Sequence, residues 1–171
     1  IIPYLQSYCE MWKIYYSECF NLTFYDGGIN SCFVSVDSRI LKFALDVLHS
    51  NVYRHGFKKR RNINNRNQME FSLATVNYYG TPYLSISAKN NGDPMPTKFT
   101  IEDFVTRGRF SLDSGHTGLG GNHLYEIVKK HKGYLRIKSS SKEWPVAFEI
   151  LLPIDNSEKF ELIDYDNYLF I

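Results

Sequence analysis

The sequence predicts a two-layer α/β sandwich of the α+β class, with a mixed, mostly antiparallel sheet covered on one face by helices. Three observations predict it. Helix and strand periodicities follow one another as helix, two strands, helix, two strands, short helix, helix, two strands, an order that segregates rather than alternating as βαβ units. The 171 residues are 43% hydrophobic, enough for one core that buries about two thirds of the unfolded surface. The 13 Tyr and 12 Phe point to a sheet-rich core or an aromatic-lined contact surface.

The elements follow in order. Pro3 to about Phe20 lacks glycine and carries Leu5, Tyr8, Trp12, Tyr15, Tyr16 and Cys19 near helical spacing, with Pro3 in the first turn. Leu22–Tyr25 and Cys32–Val36 read as two short strands around an Asp26–Gly27–Gly28 turn. Asp37 or Ser38 caps a helix through Ile40, Leu41, Ala44, Leu45, Leu48 and Val52, and Gly56 stands where a left-handed C-cap favours glycine. Lys58–Lys59–Arg60–Arg61 and the Asn-rich stretch to Gln68 read as a polar loop. Met69–Tyr78 and Tyr83–Ala88 form a hairpin over Tyr79–Gly80–Thr81–Pro82. Asn90–Pro96 is a turn cluster, Thr100–Val105 a short helix, and Gly108–Gly121 a Gly-rich flexible loop. Leu119–His131 is a helix with Leu124, Ile127 and Val128 on one face and Gly133 as its stop. Tyr134–Ser139 and Val146–Leu152 are strands, the second ending at Pro153. The organisation expected is an N-terminal helix and first strand over 1–29, open to reading as the end of a linker, a core over 30–153, and an acidic, aromatic tail over 154–171.

Composition excludes several classes. A net charge of +2 is too near neutral to argue for nucleic acid, and no run of about 18 apolar residues offers a membrane span. The three cysteines are odd in number and show no metal-type pairing with histidine, which fits a reduced, cytoplasmic setting. The sequon at Asn21–Leu22–Thr23 carries no weight without a secretory signal. Because the sequence opens on Ile1 rather than Met, it is expected to be a piece of something longer. The basic run from Lys58 to Arg66 is either a solvated loop or a dock for an acidic partner or an RNA backbone.

Three segments carry chemistry. In Leu48–Gly56, the Asn51 carboxamide lies on an otherwise apolar helix, where burial is costly unless its oxygen is used. A Mg²⁺ that keeps its waters and bridges phosphates needs only such an oxygen. Arg54, three residues on, shares roughly that face and can meet phosphate oxygens. In Ser87–Pro96, a strand end meets a Gly/Pro turn, so Asn90 stands at the mouth of a pocket and can read a ring such as adenine through its amide. In Gly115–His116–Thr117–Gly118–Leu119–Gly120–Gly121, glycines let backbone N–H groups approach an anion, and the following helix N-terminus adds its dipole. It is not a P-loop, since Gly121–Asn122 follows Gly120 where Lys–Ser/Thr is required, and His123 occupies the third glycine of a dinucleotide fingerprint. Singly, each segment has an ordinary reading: a capping Asn, a plain turn, a loop with glycines.

In this order, however, the three resemble the ATP-binding domain of the GHKL superfamily, which unites gyrase, the heat-shock chaperone ATPase, histidine kinases and MutL. The likeness is greatest to the catalytic domain of sensor histidine kinases. Leu48–Gly56 resembles the N box, Asn90–Pro96 the G1 box and Gly115–Gly121 the G2 box, with Asp103–Ser111 in the place of the F box and lid. It spans roughly residues 30 to 153. The resemblance implies ATP–Mg²⁺ beneath a mobile lid, with Asn51 on the metal, Arg54 and His55 on phosphates, and Asn90 on adenine. Gly92 would let the nucleotide approach. Thr117, Gly118, Leu119, Gly120 and Gly121 would form the phosphate-side segment.

The departures are equally specific. Asn90 replaces the usual aspartate, and an amide accepts from the adenine amino group about half as well. Pro94 replaces the second G1 glycine. Val47 stands one helical turn before Asn51, where the family has a polar residue and gyrase-type ATPases a catalytic Glu, so a hydrolase reading loses its base. Two functions remain: a histidine-kinase-like enzyme that presents ATP–Mg²⁺ to a phospho-acceptor histidine domain or response-regulator-like partner, or a nucleotide-sensing module with little catalysis. The helix from Pro3 to Phe20 contains no histidine to serve as acceptor.

Overall fold

The computed structural model describes residues 1–57, 67–96, 98–106, 119–138 and 141–155. Helix α1 (Ile2–Tyr16) leads into strand β1 (Asn21–Tyr25), helix α2 (Ser38–Asn51) and a π-helical turn over Val52–Gly56. Strands β2 (Gln68–Tyr78) and β3 (Thr81–Asn90), helices α3 (Ile101–Val105) and α4 (Leu119–Lys130), and strands β4 (Tyr134–Ile137) and β5 (Val146–Pro153) complete the order. The five strands form one sheet in the order β1-β2-β3-β5-β4. Only β1 and β2 run parallel; every other pair is antiparallel.

Register explains the two layers. Side chains alternate across a strand, and the pairs Leu22↔Met69, Phe71↔Ala88 and Ile86↔Ile150 put the apolar set on one face. There they meet Leu45 and Leu48 of α2 and Leu124 and Val128 of α4 in one buried cluster. Asn90, at the end of β3, pairs with Met69 and Val146 and so belongs to this inner face. The opposite face carries Tyr78, Tyr83 and Tyr134 ring-to-ring, with the Arg136 guanidinium 5.1 Å over Tyr78. Beside them the nearly inaccessible Glu149 accepts from Ser85 Oγ at 2.6 Å and from Arg136, with Lys138 Nζ at 3.2 Å.

Several expectations change. The stripe of α1 runs through Leu5, Tyr8, Cys9 and Trp12, whereas Tyr15 is 73% exposed. Gly27 and Gly28, both at φ +69°, do turn the chain, but no hairpin follows. Gly27 lies on β2, where a Cβ would sit 2.1 Å from Leu73 O, and β1 takes β2 as a parallel partner. The Cys32–Val36 segment contributes only the bridge Val34↔Ile154. The β2–β3 turn is the tight pair Tyr79–Gly80, both at positive φ, so Thr81 and Pro82 already belong to β3. Gly56 is no left-handed cap; it sits inside the π-helical turn. Helix α4 is followed by Lys132 at φ 56°, and Gly133 is required instead because a Cβ there would lie 2.3 Å from Leu151 O. Gly120 and Gly121 belong to the first turn of α4. The expected loop at 58–66, most of the Gly-rich loop, Ser139 and the tail beyond Asp155 lie outside the described residues.

Candidate functional site

The site is organised by α2. Asp37 accepts from Arg39 N at 2.8 Å and caps the helix, while its apolar face packs on the sheet. Two contacts mark out the stretch that follows. At Val47, Gly120 at the start of α4 lies within ordinary contact distance, an added Cβ standing 3.5 Å from Val47 Cγ1. At Gly56, the turn after β3 comes closer still: Asp93 N donates to Gly56 O at 2.6 Å, and a Cβ on Gly92 would lie 1.8 Å from that oxygen. Asn51 lies between them, one turn beyond Val47 on the same face. The two contacts lie nine residues apart, along the end of α2 and its π-helical turn.

The π-helical geometry at Val52–Gly56 re-aims the last turn where the chain meets β3, a common device at functional sites. Asn51 is half-buried, and its Nδ2 is sealed from solvent with no hydrogen-bond partner among the described residues. Arg54 is exposed and His55 half-buried in the same turn. Asn90 is 2% exposed, and its Oδ1 accepts from Gly92 N at 3.0 Å. Asn91 holds the turn from the other side, its Oδ1 accepting from Gln68 N at 2.8 Å.

Helix α3 packs on α4, which itself packs on α2. Thr100 and Asp103 form a capping box that holds α3 together, and Asn122 Nδ2 donates to Val105 O at 3.0 Å. Gly121 is buried because Phe104 O occupies the place of its Cβ, at 2.0 Å. Leu119 and Gly120 are half-buried at the N-terminal end of α4, the positive end of its dipole. Thr117 and Gly118 lie outside the described residues. The segments of Asn51, of Asn90 with Gly92, and of Gly120 with Gly121 therefore do come together around α2, although the chain separates them widely.

Candidate bases near the site are engaged elsewhere. Asp46 accepts from Tyr8 OH at 2.9 Å and from Lys42 Nζ at 2.7 Å, which ties α1 to α2. His49 is buried among Trp12, Tyr16 and Phe20, ring centroids 4.9, 4.6 and 5.5 Å away. That burial lowers its pKa to about 4, against a smaller upward pull from Asp46. His131 Nδ1 lies 2.9 Å from Ile127 O. No cluster of three or more His, Cys, Asp or Glu is found among the described residues. The Asn51 carboxamide offers one neutral oxygen of the kind that a hydrated, phosphate-bound cation can take from a protein.

Sequence reasoning missed Gly56 and Asn91 as parts of the site. It placed both inside the resembling segments but gave Gly56 only the role of a helix stop and Asn91 none of its own. The Asn90–Asn91–Gly92 run is the one signal that two amides share this turn.

No protein-family model and no curated protein matches the sequence. Solved structures do. The mycobacterial sensor histidine kinase MprB superposes with a TM-score of 0.65 at 18% identity, over 90% of this chain and 93% of that one. The fold is that of a sensor histidine kinase catalytic domain. The catalytic domain of histidine kinase ThkA, free of nucleotide, gives 0.63 at 18% identity over 87% and 93%. The ATP-binding domain of PrrB from Mycobacterium tuberculosis gives 0.62 at 16% identity, over 90% and 93%. Against full-length ShkA in complex with AMPPNP the score is 0.67 at 11% identity, and this chain spans 29% of that protein. No described helix is long and apolar enough to cross a membrane.

Proposed function

We propose that the chain is the nucleotide-binding catalytic domain of a histidine-kinase-like protein and holds a purine nucleoside triphosphate, ATP in the kinase reading, with magnesium. The observation that carries this is the convergence on α2. Gly120 at Val47 and Gly92 at Gly56 bracket Asn51 along nine residues of this helix and its last turn. The kinase-domain fold supports the same reading.

Asn51 would hold the magnesium, which neutralises phosphate charge when bound. Arg54 and His55 would face the phosphates, as would the backbone at Thr117–Gly121, and Asn90 with Gly92 would receive the base. Val47 is apolar and Asp46 is committed to Tyr8 and Lys42, so neither supplies a general base. Catalysis then rests on positioning and charge neutralisation, with the γ-phosphoryl passing to a histidine of another segment or chain. A phospho-acceptor domain or response-regulator-like protein is the partner this implies, and three free cysteines suit a cytoplasmic setting. The nucleotide-binding core is assigned to 30–153, joined through α1 and β1 to the 1–29 stretch, with the 154–171 tail beyond it. Val47 and Asn90, both departures from the kinase pattern, favour as second reading a nucleotide sensor with little transfer.

Calorimetric titration with ATP, with and without magnesium, tests the assignment. Binding should require magnesium and weaken at least tenfold in Asn51→Ala. Binding unaffected by both would overturn it, and labelled phosphate on a supplied acceptor histidine would separate the enzyme from the sensor.

A further inference from the structure

Asn90 differs from an aspartate in having two unlike ends, and the structure decides which end faces inward. Its Oδ1 is wedged between two glycines. A Cβ at Gly92 would lie 2.9 Å from it and one at Gly56 3.1 Å. The Gly92 N–H, 3.0 Å away, is a donor and can be satisfied only by the oxygen, so the amide cannot be flipped without placing two donors against each other. Nδ2, with both its hydrogens, is therefore the end left to meet a ligand. Among the described residues nothing accepts from it, and unlike Asn51 Nδ2 it is not sealed from solvent.

The sequence-based expectation gave Asn90 the role of accepting a hydrogen bond from the adenine amino group. The oxygen that would do so is already taken. A ring that presents its position-6 group here meets a donor, and 6-oxopurines place an acceptor there where adenine places its amino group. We propose that Asn90 makes this site selective for 6-oxopurine nucleotides, hypoxanthine and guanine in chemical class, over adenine. The inference rests on the nucleotide-binding reading above and specifies its base. With adenine, the exocyclic N–H₂ meets Nδ2–H₂ and both donors lose water without gaining an acceptor. A buried unpaired donor of this kind lowers affinity by about ten- to a hundredfold. Asn90→Asp keeps an oxygen for Gly92 N–H and replaces the outward donor by an acceptor, so it inverts the selection without disturbing the turn.

The test is calorimetric titration of the full chain and of Asn90→Asp with magnesium–ITP and magnesium–ATP, which differ in the base at position 6 and its N1 proton. Expected is at least tenfold tighter binding of ITP than of ATP by the wild-type protein, with the order reversed in Asn90→Asp. ATP binding as tightly as ITP, or more tightly, in the wild type overturns the inference while leaving nucleotide binding intact. Binding of neither nucleotide at millimolar concentration overturns the nucleotide-binding reading and the inference with it. Should Asn90→Asp unfold, the wild-type ratio alone decides.

Discussion

Replacing Gly92 by alanine puts the framework of the site to a quantitative test. The new Cβ would stand 1.8 Å from Gly56 O and 2.6 Å from its carbonyl carbon, where contacts under 3.0 Å essentially never occur. Backbone cannot swing aside as a side chain can, so the two segments must part by about 1.2 Å, the 3.0 Å limit less 1.8 Å. That movement breaks Asp93 N–H to Gly56 O. One hydrogen bond at about 1 kcal/mol, with the buried Gly56 carbonyl left unsatisfied at about 1–3 kcal/mol, gives a loss of about 2–4 kcal/mol. With a urea slope of about 2 kcal/mol per molar, the unfolding midpoint should fall by about 1–2 M. Trp12 and Trp144 fluorescence reports the transition. Gly28→Ala is the control. It has a left-handed φ of +69°, which Gly92 lacks, but nothing within 4 Å of an added Cβ, and should cost only about 1 kcal/mol. A loss below about 1 kcal/mol for Gly92→Ala would refute the close approach of β3 to the end of α2.

Further outcomes follow from single buried groups. His49 has its pKa lowered from 6.5 to about 4, chiefly by burial, so the unfolded chain takes up its proton first. Stability should be complete above about pH 6.5 and fall by on the order of 3 kcal/mol as the pH drops to 4, and His49→Phe should flatten that slope. At Glu149, burial alone would raise the pKa, but the donors Ser85 and Arg136 with Lys138 outweigh it and hold the carboxyl below its usual range. Its contribution is present above the ordinary carboxylate pKa and lost as pH falls through the lowered one. Glu149→Gln should therefore cost about 2–3 kcal/mol at pH 7 and less in acid, by urea unfolding at both. Gly121→Ala places a Cβ 2.0 Å from Phe104 O and should raise hydrogen exchange across Ile101–Thr106, with about 2–3 kcal/mol lost; unchanged protection there would contradict the α3–α4 contact.

The sequence by itself determined what depends on near neighbours in the chain. Asp37 followed by Leu41, Leu45 and Leu48 is a capped amphipathic helix wherever it lies, and the Phe71–Leu73 and Leu84–Ile86 alternations read as strands because side chains repeat every second residue. The order of the three glycine- and asparagine-bearing segments was equally legible, and with it the fold. Tertiary structure alone decided which residues meet. The parallel partner of β1 cannot be read from Leu22–Tyr25, because a turn at Gly27–Gly28 serves a hairpin and a departure over β2 alike. Gly56 resembles a helix stop until Gly92 is seen against its carbonyl. Likewise, Asn90 presents an oxygen or a nitrogen with equal ease until the N–H of Gly92 claims the oxygen. Periodicity is a property of contiguous residues, whereas hydrogen-bond polarity and backbone approach belong to pairs that only the folded chain brings together.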